Sequence, residues 1–117
     1  MLPDFVKDFK KLKKNYSTLK QDLEVFVNNQ LKLSHKLNIE NSGIVQISRL
    51  SISEPKIYKA RKFACKSLKG RGSYSGIRII YAYFKDDDRI ELVEIYFKGD
   101  KENEDRQRIL KYYSDEK

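Results

Sequence analysis

Phe5, Phe9, Leu12, Tyr16, Leu19, Leu23 and Phe26 recur at alternating steps of three and four, the spacing that lines side chains along one face of a helix. Lysines and acids fill the positions between them, so the first thirty residues read as amphipathic helix with the apolar stripe as core. Asn15-Tyr16-Ser17-Thr18 interrupts the pattern with cap-forming side chains, and Thr18 with Gln21 has the spacing of a capping box. Two helices near 4–14 and 17–31, joined by a tight turn, are expected.

Asn38, Asn41, Ser42 and Gly43 then mark a loop, and Ile44-Val45-Gln46-Ile47 is a candidate short strand. Glu54-Pro55 breaks the chain, because proline disfavours the helical conformation in the residue before it. His35 falls at the end of the second helix, where a cation suits the dipole, and is expected to be a surface or capping histidine. From Ile57 the texture changes to β-rich runs at 57–65, 76–84 and 90–97, separated by connectors of hairpin length, which predicts an antiparallel meander. Both alternating sets of the middle run are apolar, Ile77, Ile79, Tyr81 and Tyr83 against Ile80, Ala82 and Phe84, as expected of a strand covered on both faces. Arg78 is its exception. Residues 104–113 carry Ile109, Leu110 and Tyr113 as one face of a last helix.

The expected fold class is α+β: an N-terminal helical hairpin packed on a small antiparallel sheet of three strands, with a short extra strand as a candidate addition, and a short C-terminal helix. Within 117 residues, 39% apolar composition suffices for one modest core, so residues 1–117 are read as one domain. No apolar run approaches the roughly 18 residues of a membrane span, and the opening residues are too finely mixed for a signal peptide. A cytoplasmic protein without a membrane partner is expected. The lone Cys65 cannot form an intramolecular disulfide, and one histidine with one cysteine supplies no set of soft ligands. Neither metal nor cofactor is expected.

Charge alters the picture once it is mapped. The net charge is +8, and the 31 residues between Glu54 and Asp86 hold nine Lys or Arg and no acid, whereas the other 86 residues hold 16 basic and 17 acidic groups. Same-sign charge at this density repels itself without an anionic partner, and nucleic acid is the first candidate. Strand periodicity places Lys59 and Arg61 on one face and turns Lys62 to the other. A neighbouring antiparallel strand brings Arg78 near that pair, forming a cradle for one phosphate. The alternative is that Arg61 or Arg78 pairs with Glu91 or Glu94 as a structural ion pair.

Other motifs carry less. Gly70-Arg71-Gly72 lacks the order of a P-loop and precedes a strand, so it reads as a hairpin loop whose Lys69 and Arg71 touch a nucleic-acid backbone. Asp86-Asp87-Asp88 lacks calcium-loop spacing and reads as a solvated turn. Cys65, inside a strand, is a small buried hydrophobe rather than a nucleophile. With these side chains, phosphodiester chemistry depends on Arg and Lys to stabilise the crowded phosphate and on Lys or Tyr to move protons. RNA suits that set better than DNA, because its 2′-hydroxyl supplies the nucleophile, and a lysine crowded by cations is pushed toward the neutral form a base needs.

The order of elements and several stretches of text resemble the RelE/ParE superfamily of toxin–antitoxin toxins. Ile57-Tyr58-Lys59-Ala60-Arg61 resembles the family's second strand, Ser75-Gly76-Ile77-Arg78-Ile79-Ile80-Tyr81 its glycine-x-arginine-x-x-tyrosine strand, and Val93-Glu94-Ile95-Tyr96-Phe97-Lys98-Gly99-Asp100-Lys101 the strand and basic turn before its final helix. Phe5 to Val27 fits its amphipathic helical pair. The resemblance implies a ribosome-dependent endoribonuclease acting on mRNA and restrained by a cognate antitoxin protein. It implies Lys59 and Arg61 as base and phosphate-binding groups, Arg78 as transition-state stabiliser and Lys101 as a further catalytic group. Lys62, Lys66, Lys69, Arg71, Tyr81, Tyr96 and Lys98 are the accompanying candidates for RNA contact. The family's tyrosine in the final helix has no match at 104–109, which leaves Tyr112 or Tyr113 as candidate proton donor. The ParE branch shares the fold but acts on gyrase, so a non-catalytic binding module is the alternative.

Overall fold

Alternation along the third strand decides the architecture, because both of its faces are apolar and each needs its own cover. In the structure, a computed structural model that describes residues 1–31, 35, 43–67 and 75–114, four strands form one antiparallel sheet in chain order. They are β1 (Ile44–Gln46), β2 (Lys56–Ala60), β3 (Ile77–Phe84) and β4 (Arg89–Phe97). The candidate short strand is real, and it pairs with β2 as an edge.

Ile77, Ile79 and Tyr81 face the N-terminal helices and share a buried cluster with Phe5, Leu12, Leu19, Leu23, Phe26 and Leu31. On the other side Ile80 and Ala82 pack with Ile57, Val93 and Ile109 and with Ile47 and Leu50 from the loop after β1. A β-bulge interrupts the β3–β4 register, with Ile80 opposite Glu94 and Tyr81 opposite Leu92. The inserted residue lets Val93 and Glu94, consecutive in sequence, serve the same face of the sheet.

Helix α1 (Pro3–Lys13) has proline at its start, Asp4 in its first turn and Lys10, Lys11 and Lys13 in its last, each matched to the helix ends. Helix α2 (Leu19–Val25) is shorter than the expected 17–31, because from Phe26 to Leu31 the chain widens into a π-helical segment. That widening leaves Phe26 and Leu31, five apart, both buried. The expected capping box does not form. Thr18 instead donates its hydroxyl to Asp22 (2.7 Å) and bonds Ser67 (2.7 Å), while Asp22 accepts from the Lys66 amide (2.9 Å). A local cap has given way to a tie between α2 and the chain after β2.

The run expected as a strand through residue 65 leaves the ladder after Ala60, where the chain turns inward to bury Phe63 and Cys65. The final helix, α3 (Arg106–Tyr113), starts two residues later than expected, on an Asp105 cap whose carboxylate accepts from the Arg108 amide (3.0 Å). Around the free edge of β4, α1 and α3 meet: Leu2 donates to the Leu92 carbonyl (3.1 Å), and Arg108 reaches both Asp8 (2.6 Å) and the Val93 carbonyl (3.0 Å). An edge covered in this way is closed to further strand pairing.

The side chain of His35 is not at the surface as expected. It is half-buried against β2 and β3, 2.6 Å from the Tyr81 hydroxyl and stacked on Tyr83 at 4.2 Å between ring centroids. Among the described residues no helix is long and apolar enough to cross a membrane. The loop expected from Asn38 to Ser42 lies outside the described residues, as do Lys69 and Arg71 with the glycines around the latter.

Candidate nucleic-acid interface

Register brings the cations of β2 and β3 together on the face that α3 covers. Val45 pairs with Lys59, Lys59 with Ile80 and Ile80 with Glu94, giving one rung across all four strands. In the next rung Arg78 lies opposite Tyr96, and Arg61, one step past β2, continues the side of Lys59. The Arg78 guanidinium donates to the Arg61 carbonyl at 2.8 Å, which fixes its direction along the sheet margin.

After β4 the chain reverses, with Asp100 and Lys101 both donating to the Phe97 carbonyl (3.0 and 3.2 Å), and folds back over this face. The reversal delivers Lys101, Glu104 and Arg106. Lys59 lies 2.9 Å from Glu104, and Arg106 flanks the same carboxylate at 4.0 Å while donating to the Ser48 carbonyl (3.0 Å). Lys101 pairs with Glu94, a carboxylate only 1% exposed that also accepts from the Asp105 amide at 2.8 Å. Three cations thus meet two carboxylates among the described residues, with the Arg78 guanidinium on the same face.

Among the described residues no ion pair joins Arg61 or Arg78 to Glu91 or Glu94. Glu94 takes Lys101, whereas Glu91 takes Arg89 and accepts from the Tyr113 hydroxyl (2.8 Å). Sequence reasoning named Glu94 as a partner for Arg61 or Arg78 rather than for Lys101, and missed Glu104 as a partner of the site and Arg106 as a member of it. Only the Lys101–Glu94 separation is short; nothing local links residue 59 to residue 104.

Several candidates are corrected. Tyr81 is fully buried beneath the N-terminal helices, its hydroxyl bonded to His35, and burial pushes its ionisation upward, so it cannot contact RNA. Tyr96 stands beside Arg78 but is 6% exposed; burial first, then Glu104 and Glu94, push its hydroxyl up to about 12. It remains protonated and covered, a wall of the site rather than a stacking surface. Lys66 lies beside Asp22 and α2, on the far side from Arg78. Tyr112 donates to Asp4 (3.0 Å). Tyr113 meets Glu91, which pairs with Ala82, four residues along β3 from Arg78 or roughly 13 Å at the usual strand rise. Neither tyrosine is placed to give a proton at the Lys59–Arg78 cluster.

Lys98 is exposed at the turn, where its amide donates to the Gly76 carbonyl (2.8 Å) beside the start of β3. Lys62 is also exposed, with its stem over Gly43 at the β1 edge. Asp86, Asp87 and Asp88 form the exposed turn expected of them. Among the described residues no three His, Cys, Asp or Glu side chains are grouped to hold a metal ion.

Compared with protein-family models, curated proteins and solved structures, the chain matches none.

Proposed function

We propose that this chain is a RelE-like toxin: a metal-independent endoribonuclease that cuts mRNA on the ribosome and is restrained by a cognate antitoxin. The observation that carries this proposal is that Lys59 and Arg78 lie on one sheet face, with Lys101 folded back over it onto Glu94 and the Arg78 guanidinium held by the Arg61 carbonyl. One guanidinium group holds a phosphate by two parallel hydrogen bonds and stabilises the charge that builds on it during attack. The reaction is transesterification: the 2′-oxygen bonds to phosphorus, the P–O5′ bond breaks, and a 2′,3′-cyclic phosphate and a 5′-hydroxyl result. An ammonium group bonded to a carboxylate donates a proton rather than accepting one, so the base role expected of Lys59 passes to Glu104. Lys59 is then the group that gives a proton to the leaving 5′-oxygen, while Glu104 takes the one from the 2′-hydroxyl.

The test is a translating extract with message 5′ ends mapped by primer extension, comparing the wild type with Arg78→Ala and repeating the reaction in EDTA. Cuts at codon spacing that persist in EDTA and fall by at least about 100-fold in the variant are expected. Uncut message with stalled translation would point to a non-catalytic binder of RNA, ribosome or partner protein. That second reading draws on one observation, the engagement of both Lys59 and Lys101 by internal carboxylates. Gyrase-dependent linearisation of relaxed plasmid would identify a ParE-like target instead.

A further inference from the structure

The balance of minus one outside the basic segment conceals a second concentration of charge. From Lys7 to Lys20 the chain holds six lysines and one acid. Lys7, Lys10, Lys11 and Lys14 are spaced i, i+3, i+4 and i+7, and so fall on one stripe opposite Phe5, Phe9 and Leu12. All four are exposed, and among the described residues none forms an ion pair. The acids that could have neutralised them are engaged elsewhere: Asp4 with Lys111 and Tyr112, Asp8 with Arg108, and Asp22 with Thr18 and the Lys66 amide.

Helix-dipole stabilisation accounts for the lysines of the last turn, but Lys7 lies before that turn. Alignment along about 10 Å of one helix face is also more than a dipole requires. The stripe has no aromatic or apolar side chain between its charges, so it offers neither a platform for unpaired bases nor a pocket for peptide side chains. What it matches is a row of phosphates whose bases are turned away. We propose that Lys7, Lys10, Lys11 and Lys14 form a second polyanion surface, one that takes the phosphate backbone of a base-paired nucleic acid. From within the stripe Lys11 borders a cleft of about 280 Å³ shared with Asp8, Glu94, Phe97, Asp100 and Lys101, so the stripe adjoins the sheet-face site around the β4 edge. The proposal stands whether or not that site cuts RNA.

The test replaces the four lysines by glutamine, and separately by arginine, and measures affinity for an RNA duplex, a DNA duplex of equal length and a single strand across a salt series. The glutamine variant is expected to bind at least one duplex about tenfold or more weaker at low salt, with the log–log salt slope reduced by about 3; the arginine variant retains both. Loss in either duplex supports the surface and tells which helix geometry it accepts. Unchanged duplex affinity and slope in the glutamine variant overturn the proposal, as does an equal loss in the arginine variant or a loss confined to the single strand. Matched thermal melting of the variants establishes that all are folded, as expected for exposed side chains that form no ion pair among the described residues.

Discussion

The Lys59 ammonium lies 2.9 Å from the Glu104 carboxylate, joining β2 to the segment that precedes α3 across a gap of 45 residues. Lys59 is 18% exposed and Glu104 8%, so the pair sits under the sheet-face site rather than in bulk water. Its geometry sets both the local stability and the charge left exposed on that face.

Glu104→Gln keeps the shape of the side chain but removes the negative charge beside the Lys59 ammonium. Unfolding free energy is expected to fall by about 1–3 kcal/mol, because a partly buried charge loses its partner. Single-stranded RNA should bind more tightly while cutting slows. Urea titration, fluorescence anisotropy and primer extension measure the three; weaker binding with unchanged cutting would remove Glu104 from the site.

Gly76→Ala forces a side chain onto a backbone with φ of +84° and sets its Cβ 2.9 Å from the Phe97 ring. The Gly76 carbonyl also holds the Lys98 amide, so strain here passes to the turn carrying Lys98 and Lys101. A loss of about 1–3 kcal/mol is expected in chemical denaturation. A midpoint equal to wild type would mean that the turn relaxes freely.

Tyr96→Phe deletes a buried hydroxyl that has no hydrogen-bond partner among the described residues. Removing such a group is expected to leave stability unchanged or raise it by about 1 kcal/mol, since its desolvation is uncompensated. RNA affinity should stay within about twofold, as befits a covered side chain. Clear destabilisation, read in a thermal melt, would reveal a partner for the hydroxyl.

His35 titrates below its ordinary value of 6.5, because burial disfavours the imidazolium; Asp88 opposes the shift without reversing it. Its ring meets Tyr58, Tyr81 and Tyr83, none of which supplies a negative charge, since burial also raises all three hydroxyls. The unfolded chain therefore binds the proton first. Stability should be flat above 6.5, decline as pH falls below it and level off once the lowered folded value is passed. Urea titrations from about pH 7.5 to about pH 5 on wild type and His35→Phe measure this, and the variant's profile should lack the decline.

Local pattern alone determined the helical stripe of Phe5 to Phe26, the three longer strands and the two-sided burial of β3. Each depends on a period of 3.6 or 2 that is written in consecutive residues. Periodicity could not reveal which face of β3 belonged to which cover, so Tyr81 was legible as interior but not as turned to the N-terminal helices away from Arg78, and Tyr96 was legible as a strand residue but not as an interior one. Nor did it show the π-helical segment, or His35 turned inward to bond Tyr81. Charge counting located the cationic surplus, while the choice of acids to meet it, Glu104 for Lys59 and Glu94 for Lys101, came only from the reversal at residues 98–105. An ion pair between distant residues is fixed by where the chain returns, and that is decided by packing α3 on the sheet.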